Sequence, residues 1–133
     1  MSRRALEMLL RLARLGAAVS LTATVAGMLV PGHSLPQEMP PDLLLHFLGF
    51  GVPAMLASLA SRGGRGGWSL FHAIAIVALA ALASEAAQWL VPGRTVSALD
   101  LAADAAGIAC GVCLGRMAQL LLFGLGGAPR PQS

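Results

Sequence analysis

The sequence predicts an all-α polytopic membrane protein: four transmembrane helices in a compact bundle, with both termini inside. Three observations predict it. The 133-residue chain is 56% hydrophobic. It is only 11% charged, where a soluble domain of this size carries about 25%. Its apolar residues fall into four runs separated by links rich in proline and glycine. Four spans of about 20 residues with short connections use nearly the whole length, so residues 1–133 read as a single membrane domain without a soluble one. The net charge of +3 and the pI near 10.2 do not indicate nucleic acid. A nucleic-acid binder gathers its arginines on one soluble face, and here they stand scattered at the ends of apolar runs.

Span one is placed at about 13–31. Residues 15–37 contain no Asp, Glu or Arg, and Pro31-Gly32 is a natural helix stop. The arginine-rich lead-in SRRALEMLLRLAR resembles the start of a signal peptide. The apolar run is long for one and lacks an A-x-A cleavage site, so an uncleaved span is favoured. Span two is placed at about 42–61, after a proline-rich link, with Pro53 in its middle. Proline removes one backbone hydrogen bond there, and a kink is expected. The link SRGGRGGW puts Arg62 and Arg65 at one face. Span three is placed at about 70–91 and stops at Pro92-Gly93. Span four, at about 97–123, would be roughly 40 Å long, which exceeds a hydrocarbon thickness of about 30 Å and requires tilt or protrusion.

Orientation follows from the arginines. With four spans, Arg3, Arg4, Arg11, Arg14, Arg62, Arg65, Arg116 and Arg130 fall on one side, eight of nine, and basic flanks stay in the cytoplasm. Arg94 alone faces outward. The acids show the opposite bias, since Glu38, Asp42, Glu85, Asp100 and Asp104 fall in the outer half and Glu7 inside.

Helical geometry then gathers the polar residues of the spans. Asp100, Asp104, Gly107, Gly111 and Gly115 project within a sector of roughly 80° at about 100° per residue, so the two carboxylates share a face with a glycine seam of the kind that admits a neighbouring backbone. Glu85 and Gln88 share a face of span three, with Glu85 about 10 Å below Pro92 along the axis. A carboxylate at that depth facing lipid would cost about 2.5 kcal/mol or more, so it is expected to be paired or functional. Asp42 and His46 stand at i and i+4 near the outer end of span two. The expected site is therefore a wet outer pocket made by Asp42, His46, Glu85, Gln88, Arg94, Asp100 and Asp104. Plainer roles stay open for several members. Asp42 would serve as a helix cap, Asp100 as half of the Ser97 capping box, His46 as a hydrogen-bonded interior histidine, and Arg94 as an anchor to lipid phosphates. His33 and His72 are assigned nothing. Cys110 and Cys113 have C-x-x-C spacing, but in an apolar glycine-rich helix they are read as small buried packing residues rather than a redox or metal pair.

The pattern D-x-x-x-H-F, then E-x-x-Q-x-x-x-P-G-R-x-x-S-x-x-D, then a polar residue four on and G-x-x-x-G resembles the VanZ-like family. The residues that carry it are Asp42, His46 and Phe47; Glu85, Gln88, Pro92, Gly93, Arg94, Ser97 and Asp100; then Asp104, Gly107 and Gly111. The chain departs from the family pattern at Leu43, where lysine is usual, at Phe50, where tyrosine is frequent, and at Asp104, where asparagine is usual. The last adds a negative charge one turn from Asp100, and two such carboxylates disfavour ionising together unless Arg94, His46 or a cation neutralises them. The resemblance implies a small multi-pass protein of the bacterial cytoplasmic membrane. The family's founding member is associated with low-level resistance to the glycopeptide teicoplanin.

Three functions fit these residues. The first is binding of a cell-envelope precursor or lipid headgroup at the outer leaflet, the acids meeting cationic or hydroxyl groups and Arg94 a phosphate or carboxylate. The second is an enzyme, acid–base or metal-assisted, acting on a lipid-linked substrate. No cofactor is required by the pattern; if a divalent cation binds, carboxylate-rich ligation favours magnesium, manganese or calcium over a thiolate-type zinc site. The absence of a nucleophile motif weakens this second function. The third is an ion-coupled transporter, which the few polar groups of the inner halves, Thr22, Thr24, Ser58 and the cysteines, do not favour. Membrane lipids are the expected surroundings, and nucleic acid is not an expected partner.

Overall fold

The computed structural model describes residues 2–34, 42–61, 69–94 and 96–124. Four α-helices account for most of them: α1 (Arg3–Met28), α2 (Asp42–Ala60), α3 (Leu70–Gln88) and α4 (Ala98–Gln119). A 3₁₀ turn, Gly32–Ser34, follows α1, and a π-helical turn, Leu120–Gly124, extends α4. All four helices are long and apolar enough to cross a membrane. Arg62, Arg65, Arg130 and Glu38, which entered the orientation argument, lie outside the described residues.

Local chemistry sets the helix ends. Ser2 caps α1, its Oγ accepting from the Ala5 N–H at 3.2 Å, so the helix begins ten residues before the apolar run placed at 13–31. Ser69 caps α3. That helix stops at Gln88, and the chain reverses at Gly93, whose φ of 76° is the left-handed conformation that glycine adopts without a Cβ penalty. The Gly32 N–H donates to Pro92 O at 3.2 Å, fastening the turn after α1 to the turn after α3.

Helix α2 is the centre of the bundle: it packs against α1, α3 and α4, most extensively against α4. The α2–α4 seam is a backbone-to-backbone contact. A Cβ at Gly107, Gly111 or Gly115 would land on the carbonyl oxygen of Phe47, Gly51 or Met55 respectively, so only glycine fits at these three positions. The spacing-by-four face expected of α4 is thus the face that packs. The same geometry turns Cys110 and Cys113 outward. Both are exposed, contrary to the expectation of buried packing residues, because the glycines already occupy the inward sector.

Pro53 lies inside α2, which continues as helix to Ala60. Having no N–H, it cannot bond the carbonyl of Gly49 four residues earlier. Thr24 of α1 supplies the missing donor, its Oγ1 donating to Gly49 O at 2.9 Å. Midway along the bundle Met28, Phe50, Ala54, Val77 and Ala81 form an apolar core. Phe50, fully buried there, brings no hydroxyl in need of a partner. At the far end Gln119 Nε2 donates to the carbonyls of Ser58, Leu59 and Ser61, capping the C-terminus of α2. The large apolar side chains that remain exposed, Leu15, Val19, Phe71, Leu79 and Leu99 among them, suit lipid rather than water.

Candidate functional site: a buried histidine and carboxylate cluster

Three helices each bring one buried titratable side chain to a common point. His46, one turn into α2, is 1% exposed; Glu85, in the last turn of α3, is 4% exposed; Asp104, in the second turn of α4, is 2% exposed. His46 Nδ1 lies 2.9 Å from Asp104 Oδ1 and 3.4 Å from Glu85 Oε1. With its proton on Nδ1 the ring donates to Asp104. His46 Nε2, both oxygens of Glu85 and Asp104 Oδ2 are buried without a hydrogen-bond partner. Buried polar atoms are nearly always paired, so this many orphans in one place sets these residues apart as a candidate site.

The neighbouring candidates divide between holding the frame and lining the opening. Asp100 completes a capping box: its N–H donates to Ser97 Oγ and its Oδ2 accepts from the Ser97 N–H, each at 3.2 Å. It is buried and stands with Asp42 and His46 in a second group whose potential ligand atoms lie within 4.8 Å of one another. Asp42, in the first turn of α2, is about half exposed, with Oδ1 3.5 Å from Arg94 Nη1. Arg94 Nη2 donates to Gly27 O at 3.3 Å, near the C-terminal end of α1. The cation thus bridges the start of α2 to the negative end of the α1 dipole. Gln88 acts in the same way: its Nε2 donates to Met28 O at 3.1 Å, while its Oε1 is left without a partner. His72 is exposed beside its helix cap, with Nδ1 2.5 Å from Ser69 Oγ, and takes no part.

Two openings meet at Arg94. A cleft of about 520 Å³ is lined by Glu85, Ala86, Trp89, Arg94 and Val96, and borders the cluster at Glu85. A largely apolar groove of about 510 Å³ runs between α1 and α2, lined by residues that include Thr24, Gly27, Leu48 and Val52, with Arg94 at its end. Trp89, 85% exposed, stands at the mouth of the cleft.

All seven candidate residues therefore gather at one end of the bundle. The carbonyls of Gly27 and Met28, the cleft residue Trp89 and the Thr24 bridge were not singled out from sequence. Trp89 carried a readable signal, since it follows Glu85 by four residues and so shares its face.

Span-length apolar helices around a buried histidine–carboxylate cluster define a multi-pass α-helical membrane protein with a polar site set into the bundle. Residues 21–121, about three quarters of the chain, match the family model described as VanZ/LLP1, and the chain belongs to that family. No curated protein and no solved structure matches it.

Proposed function

We propose that this is a binding protein of the bacterial cytoplasmic membrane whose cleft receives the phosphate-bearing headgroup of a lipid or lipid-linked cell-envelope component. One observation carries the reading: Arg94 is shared by the cleft that Glu85 lines and the apolar groove. A molecule with a charged head and an acyl tail fits that pair of openings, its phosphate on the guanidinium, its tail in the groove and its hydroxyl or ammonium groups toward Glu85. Trp89 at the mouth suits the interface between headgroups and hydrocarbon.

In this reading the cluster end faces outward. Arg4, Arg11, Arg14 and Arg116 stand toward the opposite end, which the tendency of basic flanks to stay inside puts in the cytoplasm. A C-terminal reporter active outside the cell would reverse that orientation. A contribution to glycopeptide resistance would follow if the bound component belongs to the cell wall's lipid-linked supply.

The second reading, acid–base or metal-assisted chemistry on the same headgroup, is favoured by His46, whose ring is oriented by Asp104 as a general base is oriented by a carboxylate. Ion-coupled transport is disfavoured by the apolar layer of Phe50, Ala54, Val77 and Ala81 below the cluster. The test is lipid carried through purification in mild detergent, identified by mass spectrometry, for wild type and Arg94→Gln. Retention of a phosphorylated lipid that falls several-fold in the variant supports binding; equal retention by both removes Arg94 from recognition and sinks the reading.

A further inference from the structure

The cluster is short of positive charge. Glu85, Asp100 and Asp104 are buried around His46, with Asp42 at the rim. The charged groups that face them from the packed elements, among the described residues, are His46 on α2 and Arg94 on the turn after α3. Arg94 is already engaged with Asp42 and the α1 carbonyl of Gly27. Among the described residues one histidine thus faces three buried acidic side chains, an arrangement that a bound cation would complete.

The geometry points to a divalent transition-metal ion, manganese or zinc, held by His46, Glu85 and Asp104. Each residue offers one ligand atom, all within 4.8 Å of one another. The separations from His46 Nδ1, 2.9 Å to Asp104 Oδ1 and 3.4 Å to Glu85 Oε1, are of the size of coordination-polyhedron edges. Bonds of about 2.1 Å put adjacent ligands about 3.0 Å apart in an octahedron and about 3.4 Å apart in a tetrahedron. The ion takes the place of the proton on Nδ1.

A second observation supports the site: Glu85 Oε2 is buried without a partner, and Glu85 Oε1 has no hydrogen bond and only the 3.4 Å approach of His46 Nδ1. The alternative set of Asp42, His46 and Asp100 is a poorer cage. Asp100 Oδ2 is committed to the Ser97 N–H, and Asp42 is half exposed and paired with Arg94. One imidazole with two carboxylates suits manganese or zinc better than magnesium or calcium, which take oxygen ligands. The cleft that Glu85 lines borders the proposed site.

The inference does not rest on the headgroup reading, because ion binding is measured without added lipid and survives loss of capture in Arg94→Gln. The test uses the full chain without an affinity tag, reconstituted in nanodiscs, stripped with chelator and titrated with Mn²⁺ by electron paramagnetic resonance and with Zn²⁺ by elemental analysis. Wild type takes up close to one ion per chain, with at least about tenfold weaker binding in His46→Gln and in the near-isosteric Asp104→Asn, whose helical content is checked by circular dichroism. The Cys110→Ser, Cys113→Ser double variant keeps the ion. Equal uptake by wild type and Asp104→Asn, no uptake by wild type, loss in the cysteine variant, or Mg²⁺ competing as well as Mn²⁺ each overturns the assignment.

Discussion

Replacing Gly111 by alanine tests the idea that the α2–α4 seam positions the cluster. The added methyl would land on Gly51 O, with Gly51 C and Met55 N at 3.0 Å, whereas ordinary contacts start near 3.4 Å. These are backbone atoms, so no side chain can swing aside and the helices must separate. Overpacking of this kind costs about 1–3 kcal/mol. Hydrogen bonds cross the same seam, among them Ser58 Oγ to Val112 O at 3.1 Å and His46 Nδ1 to Asp104 Oδ1 at 2.9 Å. A shift of about 1 Å carries both beyond hydrogen-bonding range, adding about 1 kcal/mol each. The expected destabilisation is about 3–5 kcal/mol, at least about 150-fold in the folding equilibrium.

Gly27→Ala is the control, because a Cβ there meets nothing within 4 Å. Unfolding by sodium dodecyl sulfate in mixed micelles, followed by circular dichroism, should move the Gly111→Ala midpoint well below wild type and leave Gly27→Ala at or above it. Coincident midpoints for the two variants would refute a backbone-contact seam.

Two further outcomes follow from the frame. Thr24→Val keeps the side-chain shape but removes the donor to Gly49 O, and should destabilise the bundle by about 1–3 kcal/mol in the same assay. Adding Pro53→Ala restores an N–H that can serve that carbonyl, so the double variant should recover most of the loss; strictly additive effects would contradict the bridge. Gln88→Leu removes the donor to Met28 O and should speed amide exchange at Leu29 and Val30, where α1 is fastened to the turn after α3. Unchanged exchange there would show that the clamp does not hold α1.

Much of this was legible before any coordinates, and for physical reasons. Hydropathy reports single helices faithfully because a span must satisfy its own backbone, so four runs became four helices. The period of 3.6 put Asp100 and Asp104 on the glycine face of α4, and S-x-x-D announced the capping box at Ser97 and Asp100. What could not be read depends on the register between helices. Thr24 looked like a stray hydroxyl until Pro53 was seen to leave Gly49 O opposite it. Gln88 looked like a pocket residue, yet its amide nitrogen is spent on the end of α1. Helix ends were misplaced by a few residues, since Trp89, Leu90 and Val91 are as apolar as the helix they follow. The cysteines were misjudged because small size suggested burial, whereas angular position decides it.

The seam and the cluster are one construction. The sector that carries Gly107, Gly111 and Gly115 toward the α2 backbone also carries Asp104, and α2 presents His46 immediately before the contact at Phe47. Close approach of the two backbones therefore drives the carboxylate onto the imidazole, and α3 closes the triangle with Glu85. A looser α2–α4 crossing would let water in and each charge solvate separately. The tight one leaves the buried carboxylates only each other and a histidine. That coupling explains how a short, strongly apolar chain can hold buried acids at one end of its bundle. The packing energy of the glycine seam offsets the electrostatic cost of the site, and the orphaned oxygens are the atoms the proposed cation would engage.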